Sequence, residues 1–302
     1  MPSSAIGFPQ RPGVPAQRWR GARLGLAAAL AAGLLTVSAA GTSAAHRRII
    51  GGGEVADDAY PFMTALVHHR PGQGDYRNQY CGGTLVHREW VLTAAHCVEG
   101  WEQSDFDLIV GRTQLSDTGK GHFRHHVRVE IHPRYYTHHD DYDIALVQLD
   151  KEVSDITPVR LPTRGTDAML RPGQEATVLG WGLTDDVLHH KPDRLHSVDV
   201  PLLSRDECRI SDHINAQTQI CAGREGVDAC GADSGGPLIR TVPGREVFYQ
   251  IGVVQGGAGC GAQGGPGIYI STGSATLLDS WPSYPPWDKD EQEDAPTGRP
   301  AP

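Results

Sequence analysis

Three separated segments carry groups that can do nucleophilic chemistry. Thr93-Ala94-Ala95-His96-Cys97 offers an imidazole, Asp141-Tyr142-Asp143-Ile144-Ala145-Leu146 a carboxylate, and Gly231-Ala232-Asp233-Ser234-Gly235-Gly236-Pro237 a hydroxyl between an acid and two glycines. A histidine titrates near neutral pH and can move a proton. A serine hydroxyl becomes a nucleophile only when a neighbouring base takes its proton. Taken singly, each segment also has a plain reading: a packed histidine, a turn-capping aspartate, a glycine-rich loop. What matters is which elements bring them together.

Those elements read as short strands. Residues 62–67, 90–93, 108–110, 127–131, 144–149, 176–179 and 247–254 are rich in Val, Ile, Leu or aromatics and bounded by Gly, Pro, Asp or His. Only residues 274–281 could form a helix. Gly 37 and Pro 21 in 302 residues exclude coiled coils and long-helix arrays. Hydrophobic residues make up 39%, enough to bury a core and to exclude disorder throughout. The expectation is an all-β body of about 230 residues, suited to two barrels. Pro158, Pro162, Gly165 and Pro172 mark the boundary between them, and no repeat links the halves.

The ends differ from the body. Arg18, Arg20 and Arg23 precede an apolar run at residues 24–37, rich in Ala and Leu, and small residues follow. This is the pattern of an export signal over residues 1–45, cut after Ala39, Ala44 or Ala45, and its Ala-rich core is of the bacterial kind. The run falls short of the ~20 residues that span a bilayer, so an uncleaved anchor is the less favoured alternative. The first 48 residues hold six Arg and no acid, and removing them takes the formal charge from −9 to −15. So acidic a chain binds neither nucleic acid nor anionic membranes in general. Residues 282–302 are acidic and proline-rich, with little to bury, and read as a disordered tail. The six cysteines, Cys81, Cys97, Cys208, Cys221, Cys230 and Cys260, all follow the signal. An even count in an exported chain implies disulfides, with 15 pairings open.

Together the three segments resemble the chymotrypsin/trypsin family of serine proteases. The order His, Asp, Ser is that family's. The TAAHC, DIAL and DSGGP boxes are present, as are Gly180-Trp181-Gly182, Pro266-Gly267-Ile268-Tyr269 and an Ile49-Ile50-Gly51-Gly52 start after a basic residue. The resemblance covers residues 48–281 and implies two six-stranded antiparallel Greek-key barrels with a short C-terminal helix. Residues 49–160 would form the first barrel, carrying His96 and Asp143, and residues 161–281 the second, carrying Ser234.

The resemblance also implies roles. Ser234 would be the nucleophile, His96 the base and Asp143 its orienter, with the backbone N–H groups of Ala232 and Ser234 as the oxyanion hole. Asp228, six residues before Ser234, would lie under a pocket kept open by Gly257 and Gly267 and select Arg or Lys. Residues 46–48 would be a short propeptide, and cleavage between Arg48 and Ile49 would free an ammonium that pairs with Asp233. Arg48 suits the predicted specificity, so the chain could cut itself. The family pairing would be Cys81–Cys97, Cys208–Cys221 and Cys230–Cys260. The expected product is a secreted, monomeric trypsin-like endopeptidase without cofactor or metal. Its partners would be protein or peptide substrates and protein protease inhibitors.

Departures from the family pattern motivate a rival, a weakened homologue that binds peptides without efficient cleavage. Ala232 stands where glycine is usual, and a left-handed backbone there would cost roughly 1–2 kcal/mol. Gln255-Gly256-Gly257 replaces the usual Ser-Trp-Gly, which removes an apolar wall and a neighbour of Asp143. No convincing acid pair forms a calcium loop. His122, His125, His126, His132, His138 and His139, with Asp140 and Asp141, invite a metal, but the favoured reading is a solvated histidine-rich loop.

Overall fold

The computed structural model describes residues 52–70, 72–101, 105–183, 190–208, 214–224, 229–242, 244, 247–257 and 265–284. The export signal, Arg48, Ile49, Asp228, Cys260 and most of the acidic tail therefore lie outside the described residues. No helix among the described residues is long and apolar enough to cross a membrane.

Strands dominate because the apolar runs are short, β-branched and interrupted by turns. Six of them close a barrel: β2 (Met63–His68), β3 (Gln79–His87), β4 (Trp90–Thr93), β5 (Phe106–Val110), β6 (His122–Ile131) and β7 (Ala145–Leu149). Around the barrel they run β2-β3-β4-β7-β6-β5, and every pairing is antiparallel. Closure leaves no free edge. Leu66, Leu85, Leu92, Leu108 and Ile109 are buried in its core with almost no exposure.

The remaining strands are β1 (Gly53–Glu54), β8 (Glu175–Gly180), β9 (His196–Pro201), β10 (Gln219–Ala222), β11 (Pro237–Thr241), β12 (Phe248–Gly257) and β13 (Gly267–Ser271). They form one sheet in the order β1-β9-β8-β11-β12-β13-β10. It curls over a core of Val178, Val200, Leu238, Ile251 and Tyr269. Its closure is less regular than the first barrel's. The short β1 pairs with His196 and Ser197 of β9. Beyond the other end of β9, one bridge, Leu202 to Ala222, reaches β10, with Leu203 N donating to Cys221 O and Gly223 N to Pro201 O.

The late helix is present as α2 (Ala275–Asp279), capped by Ser274, whose Oγ accepts the Leu277 N–H at 3.1 Å. Helix α1 (Asp75–Asn78) and two 3-10 turns, Ala95–Cys97 and His139–Tyr142, were not expected; each spans three or four residues and leaves no periodicity to read. Leu277 and Trp281 pack in the same core as the first barrel. There His132 stacks on Tyr142, meets Trp281 edge-on, and bonds through Nε2 to Leu277 O at 3.0 Å. His132 is therefore core, as is His126, which stacks on Phe106. This corrects the solvated-loop reading: the histidines divide between β6, the core and the turn before β7. Within β6 only His126 is buried, while His132 follows the strand and is covered by Tyr142 and Trp281.

Candidate active site

Local register brings the first two groups together. Thr93, at the end of β4, pairs with Ala145, at the start of β7. His96 lies in the turn just after β4 and Asp143 just before β7, so neighbouring strand ends present them side by side. Asp143 Oδ2 lies 2.6 Å from His96 Nδ1, and Asp143 Oδ1 accepts the His96 backbone N–H at 2.9 Å. Two bonds to one residue fix the carboxylate and the ring together. Asp143 is buried, while the His96 side chain keeps 35% exposure, enough for its Nε2 side to meet a substrate. Burial pulls the His96 pKa down, but the Asp143 hydrogen bond and charge, with Glu99, outweigh it and hold the imidazole above its usual 6.5.

Ser234 comes from the loop before β11. Its carbonyl accepts the Gly82 N–H at 2.8 Å, which seats the loop on β3 of the first barrel. The disulfide sulfur of Cys97 lies 3.6 Å from that carbonyl oxygen and 3.7 Å from His96 Nε2. His96 and Ser234 thus converge on one side chain. Among the described residues the Ser234 hydroxyl makes no hydrogen bond, and catalytic hydrogen bonds are often long until substrate is bound. Gly235 has φ +79°, and a Cβ there would fall on Thr93 Oγ1 and Gly82 O.

Asp233 is fully buried. Its carboxylate accepts from Gly182 N at 2.7 Å and Cys230 N at 2.9 Å. Burial raises its pKa to about 6, against the two N–H bonds and the nearby Lys191 charge. Lys191 is itself pulled down to about 8 by burial. Ala232 has φ +72°, one of two positive values among the described non-glycine residues. Its carbonyl accepts from Gln79 Nε2 at 3.0 Å, a bond that fixes this peptide in place.

Gly257 and Gly267 pair with one another across β12 and β13. A cavity of about 380 Å³ is lined by Gly256 and Gly257 together with His96, Asp143, Tyr135, Asp140 and Gln255. Gln255 does not reach Asp143. Its Nε2 donates to Asp140 O at 2.7 Å, and Gln219 Nε2 donates both to that oxygen, at 2.7 Å, and to Gln255 Oε1, at 2.9 Å. Sequence reasoning missed this clamp and the Tyr135 wall, because contacts between residues so far apart in the chain carry no spacing signature.

Two of the expected disulfides are formed, Cys81–Cys97 and Cys208–Cys221. Cys230 is also in a disulfide, and Cys260, its expected partner, lies outside the described residues. The one group that brings three metal-type ligand atoms together among the described residues is Cys81, His96 and Cys97, two of which are bonded to each other.

The fold and this convergence are those of a serine endopeptidase. The family model described as Trypsin matches residues 49–277, and the chain belongs to that family. It is 34% identical over 229 residues to the trypsin of Saccharopolyspora erythraea, covering 75% of this chain and 94% of that protein. It is 34% identical over 252 residues to the tryptase of Mus musculus, with 78% and 88% covered. With the venom serine protease Bi-VSP of Bombus ignitus it shares 36% over 250 residues, with 76% and 66% covered.

Proposed function

We propose that the chain is a secreted endopeptidase, made as a zymogen, that cleaves peptide bonds after Arg or Lys through an acyl-enzyme. The observation that carries this is the His96–Asp143 bond at 2.6 Å beside the Ser234 loop. In this reading Ser234 Oγ attacks the substrate carbonyl carbon while His96 takes its proton. The tetrahedral oxyanion forms opposite the N–H groups of Ala232 and Ser234. The C–N bond then breaks as His96 gives the proton to the leaving amine, and a water repeats the steps to release the acid. Asp143 holds the ring in the required tautomer.

Selection rests on Asp228 under the Gly257–Gly267 pocket, a carboxylate matched to guanidinium or ammonium. Activation rests on cleavage after Arg48, the new Ile49 ammonium supplying the cation that buried Asp233 lacks among its described hydrogen bonds. Removal of residues 1–45, a propeptide at 46–48, barrels at 49–160 and 161–281, a tail at 282–302 and a monomeric product complete the reading. Export is supported by the leader pattern and the disulfides.

The test is to cut the purified chain at Arg48 and assay chromogenic amides ending in Arg, Lys, Phe or Ala. Hydrolysis of the Arg and Lys substrates is expected, with none from Ser234→Ala or from an uncut Arg48→Gln chain. Preference for Phe would remove Asp228 from its role. A second reading, a peptide-binding homologue of low activity, draws on the strained Ala232 and on Gln255 turned away from Asp143. A folded, cut chain that hydrolyses none of the amides would favour it.

A further inference from the structure

We propose that Asp140 recognises a second cationic side chain, on the residue immediately upstream of the one at the cut bond, so that paired basic residues are preferred. This rests on the peptidase reading above. The first observation is a free strand edge. Gly256 and Gly257 pair with Ile268 and Gly267 of β13, whereas the ladder between β12 and β11 stops at Val253 and Pro237. Among the described residues no strand covers the other edge of residues 255–257, and both glycines are exposed. An extended peptide can add to such an edge, and its side chains then alternate between faces. If the residue at the cut enters the Gly257–Gly267 pocket, its predecessor faces the other way, and His96, Tyr135 and Asp140 line the same cavity as Gly256 and Gly257.

The second observation concerns that lining. Asp140 is held by its backbone, the carbonyl accepting both glutamine amides, while its carboxylate has no hydrogen bond or ion pair among the described residues. Its neighbours are engaged: Asp141 accepts from Asn215 Nδ2 at 3.0 Å, and Asp143 holds His96. Nearby Arg134 is turned to Tyr142, bonding its hydroxyl at 3.0 Å and lying over its ring. The His139 ring packs edge-on against Tyr135. A carboxylate on a held backbone, unengaged among the described residues and lining a cleft, is suited to a guanidinium or ammonium. The third observation is in the sequence. Arg47-Arg48 precedes Ile49, so the chain's own junction carries a basic residue at both positions.

The experiment compares chromogenic dipeptidyl amides that differ only upstream, Gly-Arg against Arg-Arg and Gly-Lys against Arg-Lys, in the cut enzyme and in Asp140→Asn. The cut enzyme should show kcat/KM roughly three- to tenfold higher with Arg upstream, between an exposed ion pair and a charged hydrogen bond. The preference should fall as salt is added. In Asp140→Asn the ratio of Arg to Gly upstream should drop to about one. Equal rates with both upstream residues, or a preference that survives Asp140→Asn, overturns this inference and leaves the peptidase reading standing. Hydrolysis of none of the amides overturns both.

Discussion

Gly182 gives its backbone N–H to Asp233 at 2.7 Å, and a Cβ on Gly182 would fall on the same carboxyl. Gly180 is placed the same way, a Cβ there falling on Asp233 Oδ1. Between them Trp181 is fully buried and bonds through Nε1 to Thr113 O at 3.1 Å. The box is thus a cradle for one acid, its indole the anchor and its glycines the space. Gly182→Ala should drive the Asp233 side chain out of its site. We expect loss of activity and destabilisation of about 3 kcal/mol, from the displaced buried carboxylate and overpacking together. Thermal unfolding and active-site titration with a fluorophosphonate would measure both. An active, fully titratable Gly182→Ala enzyme would show that the cradle is not required.

The raised His96 pKa sets the acid limb of the rate profile. Below that pKa the ring is protonated and cannot accept the Ser234 proton, so kcat/KM should fall as pH drops through a value above 6.5. Asp143→Asn removes the bond and charge that hold the pKa up. The limb should then shift to lower pH, and the rate should fall about ten-thousandfold, as in the worked triad of this family. An unshifted limb would mean that His96 is not the titrating base.

Asp233 predicts a difference between the uncut and cut chains. Its folded pKa, about 6, stands above the ordinary 3.8. The folded chain therefore keeps a proton that the unfolded chain releases at lower pH. Stability from this group is present below 3.8 and declines as pH rises from 3.8 through 6. An uncut Arg48→Gln chain should show that decline in urea unfolding, and the cut chain should show less of it. Identical pH dependences would count against an Ile49–Asp233 pair.

Ala232 occupies a left-handed backbone at φ +72°. Glycine adopts that conformation without a Cβ clash, at some cost in unfolded-chain entropy. Ala232→Gly should therefore stabilise the protein by about 0.5–1 kcal/mol, with activity equal or higher. A lower melting temperature would show that the Gln79 bond and local packing have relieved the strain.

Much of this arrangement is written in local text. The β4 run ends just before His96 and the β7 run begins just after Asp143, so strand registration alone sets that pair. The boxes around Trp181 and Ser234 are legible because close backbone approach demands glycine at fixed places. The Asp140 clamp is not legible. It joins Gln219, Gln255 and a turn carbonyl through side-chain amides, and amide bonds of that kind impose no repeat or spacing. The buried histidines also escaped, since a ring such as His132 counts as core only once Tyr142 and Trp281 are seen on either side of it. The uneven closure of the second sheet depends on how β1 and β10 share the two ends of β9, a competition that no single segment records.

The contact of Trp281 and Leu277 with His132 and Tyr142 bears on how the molecule is assembled. The first barrel along the chain shares its core with a helix that follows the second sheet in sequence. A chain without residues 275–281 would leave His132 and Tyr142 uncovered, beside the turn that leads into Asp143. The footing of that turn is thus set by a segment that follows the whole second sheet in sequence.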